Sequence, residues 1–324
     1  MTALVIGVDV GGTKISVAPL GAPAVLTPTD LASATELIAQ IVDQVRAAAA
    51  GRSPDAVGVG IPSVIEFATG RVRSSVNIPL HDVALREELG RRLGTLVFVD
   101  NDATLAALAE AHDDDGRLST RNLVMLTVGT GVGGGIVVDG RVYRGATGAA
   151  GELGHTMIAA DPDHDYGPDS DVDPGFPRHG SLESLAAGHV LDKLARESAA
   201  DHPDSALGRL GSTASGPDAV AAAQDGDPDA IDVVARLGRR LGIGIANVIN
   251  TFDPDVVAIG GGVSAAGELL LGPAREAARH FVLPGVGAST EIRIARAGPD
   301  AGVRGAALLA RSELTNHVRE GHPA

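Results

Sequence analysis

The sequence predicts an α/β protein built from two related halves, and three observations carry that expectation. Residues 4–20 and 123–140 each read as an apolar strand, a glycine turn and a second apolar strand, so one unusual arrangement occurs twice. Short β-branched runs alternate with stretches whose apolar residues recur at helical spacing, giving the order β-β-α-β-α-β-α before the second hairpin. The 324 residues are enough for two domains, and no linker separates them cleanly, so they are expected to meet at a cleft between the hairpin region and the start.

Residues 4–10, LVIGVDV, form an apolar strand that breaks at Gly11-Gly12-Thr13-Lys14 and resumes over 15–20. Residues 31–50 place Leu37, Ile38, Ile41, Val42 and Val45 on one helical face and stop at Gly51. A strand at 56–61 is halted by Pro62, a helix follows at 83–93, and a strand at 95–99 ends in Asp100-Asn101-Asp102. The helix formers at 103–111 then put Asn101 or Asp102 at or next to an N-cap. In LVMLTVGTGVGGGIVVDG, Gly129 to Gly135 is too glycine-rich for simple strand or helix and reads as a loop between two buried strands. Residues 161–179 are rich in Asp, Pro and Gly and read as a long surface loop. Helices are expected at 182–198 and 219–224, then a long apolar one with small residues at 230–252. A strand at 255–259 opens into Gly260-Gly261-Gly262, followed by a helix at 265–280, a strand at 292–295 and a last helix at 301–314.

Composition removes several functions. Hydrophobic content of 44% and charged content of 21% suit a globular protein, while 2% aromatics and no Trp leave no stacking platform for single-stranded nucleic acid. The 26 Lys and Arg against 41 Asp and Glu give −15, which argues against nucleic acid as a general partner. Such a chain must bind phosphate with backbone donors, a few placed cations and a metal ion. There is no Cys, no apolar run of membrane length and no leader-like start, so a cytoplasmic protein with no membrane partner is expected.

Bare N–H groups in a glycine turn make an anion-binding concavity, whereas an ordinary hairpin needs one or two glycines, so residues 129–135 read as a phosphate loop or a floppy turn. Asp9 beside Gly11-Gly12 would repel phosphate unless it lies near Mg²⁺ through water; otherwise it caps the turn. Glu152 and His155 stand at i and i+3, close enough for one ligand if the turn is helical. The pattern around Asp102 suits an N-cap as well as a general base.

Taken in order, DVGGTK, DNDA, GTGVGGG and GELGH resemble the ROK family (repressors, open reading frames, kinases), over about residues 4–305. A Rossmann reading fails because GTGVGGG feeds a strand, and the lysine pattern of a P-loop is missing. The resemblance implies the actin-like ATPase (ribonuclease H-like) fold, two α/β domains with mixed sheets around a central cleft. The domains would be residues 1–115 and 116–324, with room for the C-terminal helix to pack back on the first. It implies that Asp9, Gly11, Gly12, Thr13 and Lys14 form one phosphate segment, and residues 127–135, with Thr130 and Gly131, the second. Gly260, Gly261 and Gly262 would lie against adenosine. Asp102 would be the catalytic base, and Gly60, Ser75, Asn77, Asn101, Glu152, His155 and Glu183 would hold the sugar. The glycine segments would serve ATP independently of Glu183.

The chain departs from the family pattern at several places. Ser63 stands for a Gly, His81 for a Trp and Ser181 for a Cys, all toward the sugar. The three zinc-binding Cys are missing, so no structural zinc is expected, and nothing in the sequence says what orients His155. In loop 161–173, Asp163, His164, Asp165, Asp169 and Asp171 match no known cation cage, and the loop is read as solvated. The resemblance implies transfer of a phosphoryl group from ATP with Mg²⁺ to the 6-hydroxyl of a hexose, glucose first, in a homodimer. The alternatives are an amino-sugar kinase of the N-acetylmannosamine, N-acetylglucosamine or kanosamine type, and a non-catalytic sugar-sensing regulator. The family's repressors carry a DNA-binding segment before the core, and only eight residues precede Asp9.

Overall fold

A computed structural model describes residues 3–75, 77–160, 165 and 175–319. Internal contacts divide the chain into two compact units, one of residues 1–122, 135–151 and 296–324, the other of residues 123–134 and 152–295. The sequence expectation set the boundary at 115/116 with room for the last helix to return; this division also assigns residues 135–151 to the first unit. The chain returns to the first unit twice.

The first unit begins with β1 (Val5–Val10), β2 (Lys14–Pro19), β3 (Val25–Pro28), α1 (Ala34–Ala48) and β4 (Ala56–Ile61). It continues with β5 (Ser63–Glu66), β6 (Arg71–Ser75), α2 (Leu85–Leu93), β7 (Leu96–Asn101) and α3 (Asp102–Glu110). Its five-stranded sheet has the order β3-β2-β1-β4-β7. β1, β4 and β7 run parallel, so their C-terminal ends share one edge, with Asp9 opposite Gly60 and Gly60 opposite Asp100. Ser33 caps α1 by accepting from the Glu36 N–H, and Leu37, Ile41 and Val45 bury the helix against Ile6, Val8 and Ile15.

The second unit begins with β8 (Leu123–Val128), and β9 (Val132–Val138) crosses from it into the first unit, followed there by β10 (Arg141–Val142). Then come α4 (Leu182–Ala186), α5 (Gly188–Asp201), α6 (Gly216–Gln224), α7 (Pro228–Phe252), β11 (Val256–Gly260), α8 (Glu268–Phe281) and β12 (Glu291–Ile294). The second sheet has the order β10-β9-β8-β11-β12, with β8, β11 and β12 parallel. The long helix α7 uses its small residues as expected: a Cβ on Gly238 or Gly242 would lie 2.5 Å or 2.4 Å from a carbonyl oxygen of α8.

The last helix, α9 (Ala301–Arg319), belongs to the first unit and lies on β1, β4 and α3. Added Cβ atoms show how closely: on Gly58 one would sit 1.8 Å from the Ala306 oxygen, and on Gly305 1.9 Å from the Leu105 oxygen. Glu110, 4% exposed at the end of α3, accepts from the N–H groups of Arg296 and Ala297, both at 2.8 Å. That carboxylate ties the catalytic-candidate helix to the chain entering α9.

Three local expectations need correction. Gly133, Gly134 and Gly135 lie inside strand β9, leaving Gly129-Thr130-Gly131 as the turn. At Gly135 the reason is close approach, since a Cβ there would lie 2.6 Å from the Ala103 oxygen on α3. The single helix expected at 182–198 breaks at Ala187, because the Gly188 N–H donates to the Gly129 oxygen at 2.7 Å instead of continuing the helical ladder. Strands β3, β5 and β6 were not anticipated, being short and weakly apolar. Among the described residues no helix is long and apolar enough to cross a membrane.

The contact between sheet and last helix makes a direct prediction. Gly58→Ala should destabilise the protein by roughly 2–3 kcal/mol, because backbone must shift to admit one methyl group. Urea unfolding measures this, and an unchanged midpoint would mean that α9 does not lie on β4.

Candidate active site

The first unit gathers one half of the expected residues at the C-terminal edge of its parallel strands. Asp9 ends β1, Gly60 ends β4, and Asn101 and Asp102 join β7 to α3. Gly60 packs beside both Asp9 and Asp102, since a Cβ there would lie 3.0 Å from Leu105 Cδ1, 3.5 Å from Asp9 Oδ1 and 3.7 Å from Asp102 Cα. Asn101 is the N-cap, its side-chain oxygen accepting from the Thr104 N–H at 3.1 Å. Asp102 is therefore released from capping duty as the first helical residue; its Oδ1 accepts from the Ala103 N–H at 2.9 Å. Burial pushes the Asp102 carboxyl above the ordinary aspartate range. Next to it, Asp100 is 2% exposed and pairs with Arg144 at 2.8 Å, fixing the strand end from behind.

Asp9 is electrostatically exposed to opposing forces. Burial, and then the neighbouring Asp102, raise its carboxyl from 3.8 to about 7, while Lys14 acts against them. The first turn of α9 is close, with a Cβ on Gly302 placed 2.3 Å from Asp9 Oδ2, but this favourable helix end does not outweigh desolvation. Neither oxygen accepts a hydrogen bond among the described residues. Such an under-served carboxylate fits a hard cation or the water around one, and a cation that keeps most of its waters needs no more protein ligands than this. Among the described residues no three His, Cys, Asp or Glu cluster as a metal cage.

The glycine turn after β1 is compact without left-handed residues. Gly11 N–H donates to the Lys14 oxygen at 2.9 Å, and Thr29 Oγ1 donates to the Gly11 oxygen at 2.7 Å. Gly12 abuts Asn77, with an added Cβ 3.3 Å from Asn77 Cβ, so the sugar candidate sits beside the phosphate candidate. Thr13 and Lys14 are exposed. Ser75 is buried opposite Ser63 in the β5–β6 pair, and Asn101 Nδ2 reaches the Ser63 oxygen at 3.4 Å. Ser63 is 8% exposed, and its hydroxyl oxygen is buried with no hydrogen-bond partner among the described residues. The sequence marked Ser63 only as a departure from pattern; its orphaned hydroxyl makes it a further candidate for a ligand contact.

The second unit gathers the other half. Gly260 pairs with Thr127 across β11 and β8, which sets Gly261 and Gly262 beside the turn at 129–131. Gly261 has φ 83°, and a Cβ there would lie 2.3 Å from the Val128 oxygen, so only glycine serves. Glu183 is bound to the same turn: its Oε2 accepts from the Val132 N–H at 2.7 Å, and a Cβ on Gly131 would lie 2.5 Å from that oxygen. Glu183 thus braces the glycine turn, contrary to the expectation that the turn stands independently of it. His189 Nδ1 approaches the Thr130 oxygen at 3.3 Å.

Glu152 and His155 flank a 3₁₀ turn, Leu153–His155, with His155 Nε2 3.9 Å from Glu152 Oε2. Gly154 seats this turn against Val132, where a Cβ would meet the Val132 oxygen at 2.1 Å. The His155 ring packs edge to face on Phe176, centroids 5.5 Å apart at 85°, and this contact orients it. Of the acidic loop, Asp163, His164, Asp169 and Asp171 lie outside the described residues, while Asp165 is 4.0 Å from His179 Nδ1.

Comparison with known proteins follows the same residues. A profile of the ROK family matches residues 5–313. The chain is 34% identical over 331 residues to a glucokinase of Halalkalibacterium halodurans, covering 98% of this chain and 97% of that one. It is 31% identical over 311 residues to an N-acetyl-D-glucosamine kinase of Aliivibrio fischeri, covering 94% and 98%. Among solved structures, a ROK family glucokinase from Streptomyces griseus in complex with glucose and AMPPNP matches with a TM-score of 0.76 at 32% identity, covering 96% of this chain and all of that one. The two mixed α/β sheets and these neighbours give the actin-like ATPase fold. With a profile match along almost its whole length, the chain belongs to the ROK family.

Proposed function

We propose that the protein is an ATP-dependent hexose kinase that phosphorylates the sugar 6-hydroxyl, with glucose as its substrate. The observation that carries this is Asp102: a buried carboxylate with a raised proton affinity, released from capping by Asn101, on a rigid strand–helix junction. Phosphoryl transfer asks for little covalent help and much positioning, and one carboxylate that accepts the hydroxyl proton as the oxygen attacks completes it. The turns at Gly11-Gly12 and Gly129–Gly131 would present N–H groups to the phosphates, and Gly260–Gly262 would admit the adenosine. Asn77, Asn101, Ser63, Glu152, His155 and Glu183 would hold the ring. Asp9 would hold Mg²⁺ through water, and bound Mg²⁺ would neutralise phosphate charge. A cytoplasmic homodimer is part of the proposal by resemblance to the family.

A second reading, an amino-sugar kinase, draws on the N-acetyl-D-glucosamine kinase relative. An ADP-release assay across glucose, mannose, N-acetylglucosamine and N-acetylmannosamine, with ATP and with polyphosphate, decides between them. Sugar binding without ADP release from any of them would instead mean a sensor.

Three predictions follow from the site. Asp102→Asn should lower kcat by a factor on the order of 10² to 10⁴ with the ATP KM nearly unchanged, and near-normal turnover would remove Asp102 from the role of base. Glu183→Ala should raise the KM of both sugar and ATP, because it unties the Val132 N–H as well as any sugar contact; roughly 2 kcal/mol is expected in sugar affinity. If steady-state kinetics show the ATP KM unmoved, the brace has no bearing on phosphate binding. The third concerns pH. The folded Asp9 carboxyl holds its proton up to about 7, against 3.8 for its ordinary value, so stability falls as pH rises between those values and stays constant above. At ~1.4 kcal/mol per tenfold change in proton affinity, that loss is ~4 kcal/mol. Asp9→Asn should therefore gain stability over wild type from pH 4 to pH 7, and urea unfolding at both ends should show a gap that widens; a constant gap would mean that Asp9 ionises normally.

A further inference from the structure

A cavity of about 740 Å³ in the first unit lies between the end of α3, the β10 turn and one face of α9. Four arginines are among its lining residues, Arg141, Arg144, Arg311 and Arg319, with Glu313 the one carboxylate. In a chain of net charge −15 this concentration of cations runs against the composition. Arg311 and Arg319 stand two helical turns apart on α9, so they share a face, and Arg141 comes from β10.

The four differ in how they are held. Arg144 is anchored to Asp100 at 2.8 Å and its guanidinium lies 3.5 Å over the Phe67 ring. Arg311 donates to the Gly116 oxygen, a contact that leaves its charge uncancelled. Arg141 and Arg319 have no hydrogen bond or ion pair among the described residues. Arg141 feels the Asp139 carboxylate without forming an ion pair with it. Two held arginines and two that are not hydrogen-bonded among the described residues thus surround one concave space, an arrangement suited to a compact anion. Guanidinium forks match phosphate oxygens in pairs, and the volume is that of a small-molecule site, too confined for a nucleic-acid duplex.

We propose that this cavity binds a phosphorylated small molecule through Arg141, Arg311 and Arg319. The assignment does not depend on the kinase reading, since Arg141, Arg311 and Arg319 lie outside the candidate active site.

The test is calorimetric titration of the full chain at low ionic strength with glucose 6-phosphate, pyrophosphate and inorganic phosphate. Pyrophosphate could also enter the glycine turns, and glucose 6-phosphate the candidate active site, so variants locate the binding. Arg141→Ala/Arg319→Ala should weaken binding of the tightest of the three by at least about tenfold, because charge-assisted hydrogen bonds are lost. Both side chains are exposed, so the melting temperature should not move. The preferred anion identifies the source: a sugar phosphate binding tighter than pyrophosphate points to a metabolite, and the reverse order to free phosphates. No binding by wild type, or equal affinity in the double variant, overturns the proposal.

Discussion

Backbone meeting backbone with no Cβ between is the constraint on which this molecule depends. Gly58 and Gly305 let α9 lie directly on β4 and α3, and Gly60 packs beside Asp9 and Asp102. Gly131 admits the Glu183 carboxylate, Gly154 seats the Glu152–His155 turn on Val132, and Gly188 docks on the Gly129 oxygen. Dispersion and hydrogen bonding both gain from such proximity, and a single methyl group at any of these places would separate the partners. With 43 glycines and almost no aromatics, the chain builds its site from main chain and lets a few polar side chains finish it.

Electrostatics then explain why those side chains are so few. In a chain of −15, a phosphate ligand meets repulsion unless backbone donors or a cation face it. Lys14 is the one cation in the first glycine segment, and it offsets only part of the cost of burying Asp9. A carboxylate kept under such strain stores free energy that a cation binding nearby would release, which is a common economy at functional sites. Asp100, 2% exposed, has the partner that Asp9 lacks: Arg144 offsets part of the burial that pushes its carboxyl up, and holds it as a fixed wall behind Asp102.

In the second unit, packing and hydrogen bonds hold the segment that carries His155. His155, which would ligate zinc beside three cysteines in the family pattern, is oriented here by the face of Phe176 and by Glu152. Backbone bonds from Ile158 and Ala159 to Gly180, and from Leu182 to Thr156, tie the same segment to the start of α4. Glu183 extends that linkage to the glycine turn through the Val132 N–H, so residues from three sequence segments share one hydrogen-bonded cluster.

The periodicities and glycine punctuation of the sequence determined the α/β class, the duplicated strand–turn–strand units, most helices and the motifs themselves, because each is a local matter of spacing and backbone freedom. The N-cap ambiguity at Asn101 and Asp102 was visible too, but only the fold gave the cap to Asn101 and freed Asp102. Tertiary structure alone decided that glycines 133–135 are strand and that the helix after residue 182 breaks at Ala187. It alone decided the Glu183 brace, the orphaned Ser63 hydroxyl and the gathering of arginines from β10, the segment after it and α9 around one cavity. Each of these depends on partners far away in the chain, and local propensity carries no information about which distant carbonyl, carboxylate or helix will occupy the space a missing Cβ leaves open.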